Sequence, residues 1–338
     1  NWHSNSWGVG EEIYAHFKEH NLVGNNQCYS GCPVGCGRMC KVDEGKFETP
    51  LHEGAEYETL SAFTAFVLNR NVDAAVHATY LCNQLGIDTI SAGGVIAFAM
   101  ECFGHEVIKL EDTNGLDLSW GNPEALPALV KMIANREGIG DILANGVRLA
   151  AEKLDPLAKE FAMHGKGLEV PAHDPRSGKA LGITYGTGNR GACHIHPLEG
   201  MAYDCGKVDW GLVPYGIPDP ETIDRWDELG KGKIVKFLQD ALILPDVVCN
   251  CKFMMYCGLT LDHVASIIEG LTGWDISVME MILVGERVSN LQRLFNIREG
   301  FSPKDDVIPK RIRSVPAFGA YSDEERCAKC RYTSYSFR

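Results

Sequence analysis

The sequence has no apolar run of 18 residues, so no membrane span is expected. It has no basic excess either: 32 Lys and Arg stand against 45 Asp and Glu, a formal net charge of -13. Phosphate binding needs a basic face, so no nucleic-acid partner is expected. The N-terminus, Asn1-Trp2-His3-Ser4, lacks the basic-then-apolar order of a secretory signal. It also lacks a starting Met, and the expectation is a piece of a longer product. Strand-like alternation is sparse, and neither an internal repeat nor a low-complexity tract occurs, which leaves a mainly α chain.

Thiols are what the sequence does have. Thirteen cysteines in 338 residues is an odd number, and it suits a reducing cytoplasm with metal-bound thiolates better than paired disulfides. Four of them fall in one stretch, Cys28, Cys32, Cys36 and Cys40, among Gly31, Pro33, Gly35 and Gly37. Small residues let the backbone curl and aim several N–H groups at one centre. Converging thiolates ringed by amide donors are what an iron–sulfur cluster requires. Zinc sites favour paired Cys-x2-4-Cys knuckles set apart by a longer loop, and no His interrupts this run, so an iron–sulfur cluster is preferred over zinc. A cubane needs four ligands, and the remote candidates are Cys249 and Cys251. An exposed low-potential cluster further suggests an anaerobic setting.

A hydrophobic content of 45% and a charged content of 23% are those of a globular protein, long enough for two or three domains. One or two helical turns are expected around Glu11–His20, and a loop at Asp43–Gly54. A helix begins at Glu56. Asp73 caps a second one that stops at Gly86, and Asp88 caps a third ending at Gly104. Further helices are expected at 124–135, at 141–153 with Asp141 as cap, and at Glu221–Leu242, Leu261–Leu271 and Asp275–Phe295. Residues 164–206 are rich in Gly, His and Arg with few periodic apolar positions. They read as a long irregular segment, of the kind that is usually functional.

Cys32-Pro-Val-Gly-Cys36-Gly-Arg resembles the cluster loop of tungsten-dependent aldehyde:ferredoxin oxidoreductases. Further stretches resemble that family in the same order: Ala55-Glu-Tyr-Glu-Thr-Leu, Leu85-Gly-Ile-Asp-Thr-Ile-Ser-Ala-Gly-Gly, Arg136-Glu-Gly-Ile-Gly-Asp, Gly167-Leu-Glu-Val-Pro-Ala-His-Asp-Pro-Arg, Gly188-Asn-Arg-Gly-Ala-Cys-His, Cys251-Lys-Phe and Phe295-Asn-Ile-Arg-Glu-Gly. The match runs from about 25 to 312. The resemblance implies a mainly α fold of two helical domains: 1–160 with the cysteine loop, and 161–338 with the His/Arg segment and the remote cluster Cys. It implies a tungsten (or molybdenum) bis-pyranopterin beside one [4Fe–4S] cluster. The activity would be oxidation of an aldehyde substrate to a carboxylic acid, with electrons passed to ferredoxin or another iron–sulfur carrier.

By resemblance, Glu56 and His194 are the catalytic carboxylate and imidazole. Asp88, Asp246, Arg190 and Asn250 fall among the cofactor-binding positions, and Cys28, Cys32, Cys36 and Cys251 are the cluster ligands. Three departures stand out. The family spaces its first thiols Cys-x2-Cys-x3-Cys, whereas Cys28 and Cys32 are separated by three residues, so Cys28 and Cys40 both remain candidates. The later turn usually reads Asp-x-x-Gly-Leu-Cys; here it is Asp246-Val-Val-Cys249-Asn250-Cys251, which leaves Cys249 as a rival to Cys251. The β-rich domain that precedes this region in the family is missing. In its C-terminal part, Cys327-Ala-Lys-Cys330 and an aromatic, Ser-rich tail replace family sequence. An N-terminal pterin domain or a partner subunit is expected to supply the other half, and a homodimer is compatible with this.

Overall fold

The computed structural model describes residues 1–4, 7–196, 200–206, 208 and 210–314. The Cys327–Cys330 pair lies outside the described residues. The chain divides into two compact units at Asp174–Pro175. The stretch 161–174, expected in the second domain, packs with the first unit. Phe161 and Ala162 join that unit's core, and Glu169 accepts a hydrogen bond from the Val147 N–H at 2.8 Å.

The first unit opens with α1 (Gly10–His16), which runs into a π-helical turn at Phe17–Asn21. A three-stranded antiparallel sheet follows, β1 (Leu22–Asn26), β2 (Gly37–Val42) and β3 (Thr49–Glu53), in that order. The expected loop at 43–54 is therefore half strand, with His52 paired to Cys40. Pro50 hid it from the sequence, since a proline is tolerated in such a strand only at an edge, where β3 lies. The helices are α2 (Tyr57–Phe63), α3 (Val72–Leu85), α4 (Thr89–Gly104), α5 (Ala125–Asn135), α6 (Ile139–Leu143) and α7 (Gly146–Lys153). Strands β4 (His164–Gly165) and β5 (Leu168–Glu169) form a small ribbon.

Helix α4 is the core element. Nearly every residue from Ala92 to Cys102 is buried, because α4 is wrapped by neighbours rather than laid on a surface. It crosses α2 at Gly93, where an added Cβ would lie 2.5 Å from the Ala62 Cβ. Asp88 caps α4 as expected, its Oδ2 accepting from the Ser91 N–H at 2.7 Å. The cap of α3 is Asn71 rather than Asp73, its side chain accepting from the Ala74 N–H. Asp141 is not a cap: α6 begins at Ile139 behind Gly138, and Asp141 sits inside it.

The second unit contains α8 (Lys179–Thr187), α9 (Gly200–Asp204), α10 (Lys231–Leu242), α11 (Leu244–Val247), α12 (Phe253–Tyr256), α13 (Leu261–Thr272), α14 (Val278–Arg298) and α15 (Lys310–Ser314). Helix α8 lies inside the segment expected to be irregular. All its residues from Lys179 to Gly186 are buried, and a helix buried all round carries no amphipathic period to read. Residues 221–230, expected as helix, hold a short 3-10 turn, and α10 starts only after Gly230. Helix α14 opens with a capping box between Ser277 and Glu280 and packs on α10. The described residues give a mainly α fold, as the sequence led one to expect.

Candidate functional site

In the first unit the cysteine run divides into two environments. Cys32 is buried at the turn before β2, while Cys28 and Cys36 are exposed. Backbone N–H groups of Gly35 and then Val34 hydrogen-bond the Cys32 sulfur and hold its pKa below the usual thiol value, with the Tyr29 and Cys28 side chains adding to this. Burial opposes them less strongly. These amides come from the glycine-containing turn that the sequence spacing pointed to, with Gly35 at φ +52. Cys40, by contrast, is fully buried on β2 among Val42, Leu60 and Val76. Burial, then the negative charge of Glu56, pushes its pKa up to about 12. Its Sγ lies 3.6 Å from His52 Nε2. Cys40 is thus a neutral core thiol, and the turn at 28–36 carries the thiols suited to bind metal.

Glu56 and Glu58 also part company. Glu56 is the N-cap residue of α2 and pairs with Arg38, with its side chain 46% exposed. Burial raises its pKa and Arg38 lowers it. Glu58, which sequence reasoning passed over, is buried at 5% exposure. Its Oε1 stands 2.6 Å from His173 Nδ1, and its Oε2 accepts from the Ala172 N–H at 2.8 Å. The Tyr57 ring meets the His173 ring edge-on at 5.7 Å. Ala55, just before, is held at φ +42, an uncommon conformation for a residue with a Cβ. The arrangement gives the first unit a buried carboxylate with an imidazole to exchange a proton with. Both acids stand at a helix start, so the dipole argument fits either, and only the rotation of a short helix separates them. Asp88 is exposed, and its Oδ2 is committed to the α4 cap.

In the second unit, the loop after α8 carries Arg190, exposed, with Nη1 directed at Cys193 Sγ 3.3 Å away. His194 follows, buried at 8% exposure. His196 Nδ1 lies 3.3 Å from Asp246 Oδ2, and its Nε2 lies 3.2 Å from Gln292 Oε1. Burial holds the His196 pKa down, against Gln292, which raises it. Lys252 Nζ donates to Ile195 O at 2.7 Å and pairs with Asp246 Oδ2 at 2.8 Å. The 246–251 turn itself contains Cys249 in the left-handed region (φ +56) and exposed, Asn250, and Cys251, which is half-buried. Asn250 Nδ2 is buried with no hydrogen-bond partner among the described residues. A buried amide without a partner is expensive, on the order of 1–3 kcal/mol, and an acceptor from a bound group removes that penalty. The amide-stabilised thiol of Cys32 and the orphaned Asn250 amide both fit the cluster and the polar cofactor that the resemblance implies.

These features define a class: mainly helical proteins that present a thiol-bearing turn beside a small antiparallel sheet. The sequence pattern described as aldehyde ferredoxin oxidoreductase, domains 2 & 3, matches residues 1–335, and the chain belongs to that family. It is 36% identical to the tungsten-containing aldehyde ferredoxin oxidoreductase of Pyrococcus furiosus, over 87% of this chain and 46% of that protein. The like-named protein of Thermococcus kodakarensis is 35% identical, over 91% of this chain and 49% of its own length. The aliphatic sulfonate oxidoreductase, WOR-like subunit, of Pyrococcus furiosus is 29% identical over 92% and 46%. The chain spans about half the length of these relatives. Among solved structures it resembles the active site complex BamBC of benzoyl coenzyme A reductase, with TM-score 0.73 and 22% identity over 92% of this chain and 51% of that one, a likeness of fold.

Proposed function

We propose that the chain is the helical, cluster-bearing half of an oxidoreductase that converts aldehydes to carboxylic acids. Water adds its oxygen to the aldehyde carbon, and two protons and two electrons leave; a [4Fe–4S] cluster held by this chain would supply the one-electron path to ferredoxin or another iron–sulfur carrier. A tungsten (or molybdenum) bis-pyranopterin would supply the two-electron chemistry. The observation that carries this reading is the turn at 28–36, whose backbone amides favour the Cys32 thiolate, in a chain whose relatives are named as tungsten-containing.

Cys28, Cys32, Cys36 and Cys251 hold the cluster in this reading. The core burial of Cys40 supports Cys28 as the third thiol of the loop, and the resemblance of Cys251-Lys-Phe to the family's remote ligand position supports Cys251 as the fourth. Glu58, buried and set against His173, takes the proton-handling role in preference to Glu56; His194 is the second proton-handling group. Asn250 would donate to the cofactor from an amide that has no partner among the described residues, with Asp88, Asp246 and Arg190 as further polar contacts in this reading. A further domain or a partner subunit completes the cofactor site. The exposed Leu291, Leu294 and Phe295 of α14 are consistent with such a neighbour.

The test is metal analysis, with viologen-linked aldehyde oxidation, on oxygen-free protein together with its other half. Iron, tungsten or molybdenum, and turnover are expected; a preparation holding both metals but inert toward every aldehyde class overturns the substrate. One observation favours a second reading, an electron-transfer or scaffold subunit without pterin chemistry. Asp246 is already engaged by Lys252 and His196. Iron and sulfide without tungsten or molybdenum would select it.

A further inference from the structure

One side chain of the second unit joins two segments that the proposed chemistry uses. The first segment is the loop at 188–196, which follows α8 and carries Arg190, Cys193 and His194. The second is the turn at 246–251, which carries Asn250 and Cys251. Lys252, directly after that turn, sends its Nζ to both. It donates to Ile195 O at 2.7 Å and pairs with Asp246 Oδ2 at 2.8 Å, and its side chain is only 11% exposed. A charged donor at these distances makes the stronger kind of hydrogen bond, and salt screens it weakly where little water surrounds it.

The turn that leads to Lys252 is tied to itself. The Asn250 N–H donates back to Pro245 O at 2.7 Å, and the Met254 N–H donates to Cys251 O at 3.2 Å where α12 begins. Asp246 opens the turn and Lys252 closes it, so their ion pair clasps the backbone that presents Cys251. The loop is held at its ends by side chains. At its start, Asn189 Nδ2 donates to Ser289 O at 2.8 Å, and Asn296 Nδ2 donates to Asn189 O at 2.7 Å; Ser289 and Asn296 both belong to α14. At its end, His196 Nε2 lies 3.2 Å from Gln292 Oε1 and its Nδ1 lies 3.3 Å from Asp246 Oδ2. Lys252 takes the carbonyl of the residue directly after His194, which is itself buried at 8% exposure.

We propose that Lys252 is a positioning residue, which fixes the His194 loop to the turn that presents Cys251. The inference rests on the reading given above, in which His194 handles a proton and Cys251 is a cluster ligand. The part of Lys252 is to hold the loop in one arrangement before the reaction starts. A catalytic group displaced by about 1 Å costs up to about a hundredfold in rate, so a tether one residue away from the imidazole acts on turnover. The competing account is an ion pair that only staples the fold. It predicts lost stability, with the catalytic rate of the folded protein intact.

The test uses oxygen-free protein together with its other half, loaded with iron and with tungsten or molybdenum, as wild type, Lys252→Met and Lys252→Arg. Met keeps the apolar stem and removes the charge and the donors, whereas Arg keeps all three. Lys252→Met is expected to lower kcat for viologen-linked aldehyde oxidation at least tenfold, with KM within about threefold and the metal content unchanged. Lys252→Arg recovers most of that loss. Hydrogen exchange of the 188–196 peptide, read by mass spectrometry, quickens at least tenfold in Lys252→Met and returns toward wild type in Lys252→Arg. Circular dichroism checks that both variants fold. Wild-type kcat and wild-type exchange in loaded Lys252→Met would overturn the positioning role and leave the aldehyde reading intact. Loss of iron from Lys252→Met would overturn it too, since the residue would then be holding the cluster turn rather than the loop. Loaded wild type that oxidises no aldehyde would sink the underlying reading instead, and the exchange comparison would still decide whether Lys252 holds the loop.

Discussion

Cys32 and Cys40 belong to one run of thiols and titrate in opposite directions, so the side chain alone does not set its role. Replacing Cys32, Cys36 or Cys251 by Ser is expected to abolish iron binding and the broad visible absorption. Cys40→Ser keeps the iron, and loses about 1–3 kcal/mol because it buries a hydroxyl in the β2 core; iron assay and thermal unfolding read the two effects. The acid pair divides in the same way. Glu58→Gln is expected to lower viologen-linked turnover by about a hundredfold or more, the range for a lost proton-transfer group, whereas Glu56→Gln, with its exposed pairing to Arg38, stays within a few-fold. His164 gives a pH signature. Burial, then Arg148, lowers its pKa from 6.5 to about 4. The unfolded chain therefore binds a proton that the folded one refuses between those two values. Stability present above pH 6.5 falls progressively toward pH 4, by about 3 kcal/mol at most. Urea unfolding of wild type and His164→Gln at both ends of that window checks it, and the variant should lack this part of the slope. Residue types and spacing were enough to read the cysteine turn and the Asp88 cap. They could not say which of two neighbouring acids turns inward, nor that Asp246 meets Lys252 and His196, because those depend on helix rotation and on contacts distant in sequence.

Helices with a one-sided apolar stripe or a strong cap are legible in the residue pattern, and buried ones are not. Helix α3 stops at Gly86 as expected, and α14 lies where its apolar stripe placed it, shifted by its Ser277 capping box. Helix α8 and the strand β3 escaped notice, the first because burial on every side erases periodicity, the second because five residues with a proline carry little alternation. Packing between elements makes a sharper demand than either. At Gly285 of α14 an added Cβ would fall within the Asp240 carbonyl of α10, and the backbones approach there because no side chain intervenes. Gly285→Ala must push two helices apart, which is expected to destabilise the second unit by about 2–3 kcal/mol. Gly270→Ala on α13, where nothing lies within 4 Å of the new Cβ, should be neutral or slightly stabilising. Thermal midpoints of the two variants compared with wild type decide it; equal midpoints would mean that α10 and α14 do not meet at Gly285.

At the scale of the molecule, the sequence held the fold class and the family, since identity over nearly the whole chain survives local departures such as the extra residue after Cys28. The proposed ligands divide unevenly between what this chain owns and what it lacks. All four cysteines of the proposed ligand set belong to this chain, so on that proposal iron binding is expected without any other polypeptide. The pterin is different: Asn250, Asp246 and Asp88, as proposed, would offer only a few polar contacts, whereas burying a charged, hydrogen-bonding cofactor needs partners on every side. The chain reconstituted alone with iron and sulfide is therefore expected to be brown and to hold about four irons, without tungsten or molybdenum and without aldehyde turnover. A polypeptide of the relatives' full length should gain the second metal and the turnover together. Metal analysis beside a visible spectrum separates the outcomes. If the chain is colourless and iron-free while the full-length protein is loaded, the four thiols do not meet within this chain. The 28–36 turn would then be a thiol cluster that needs its neighbour to become a site.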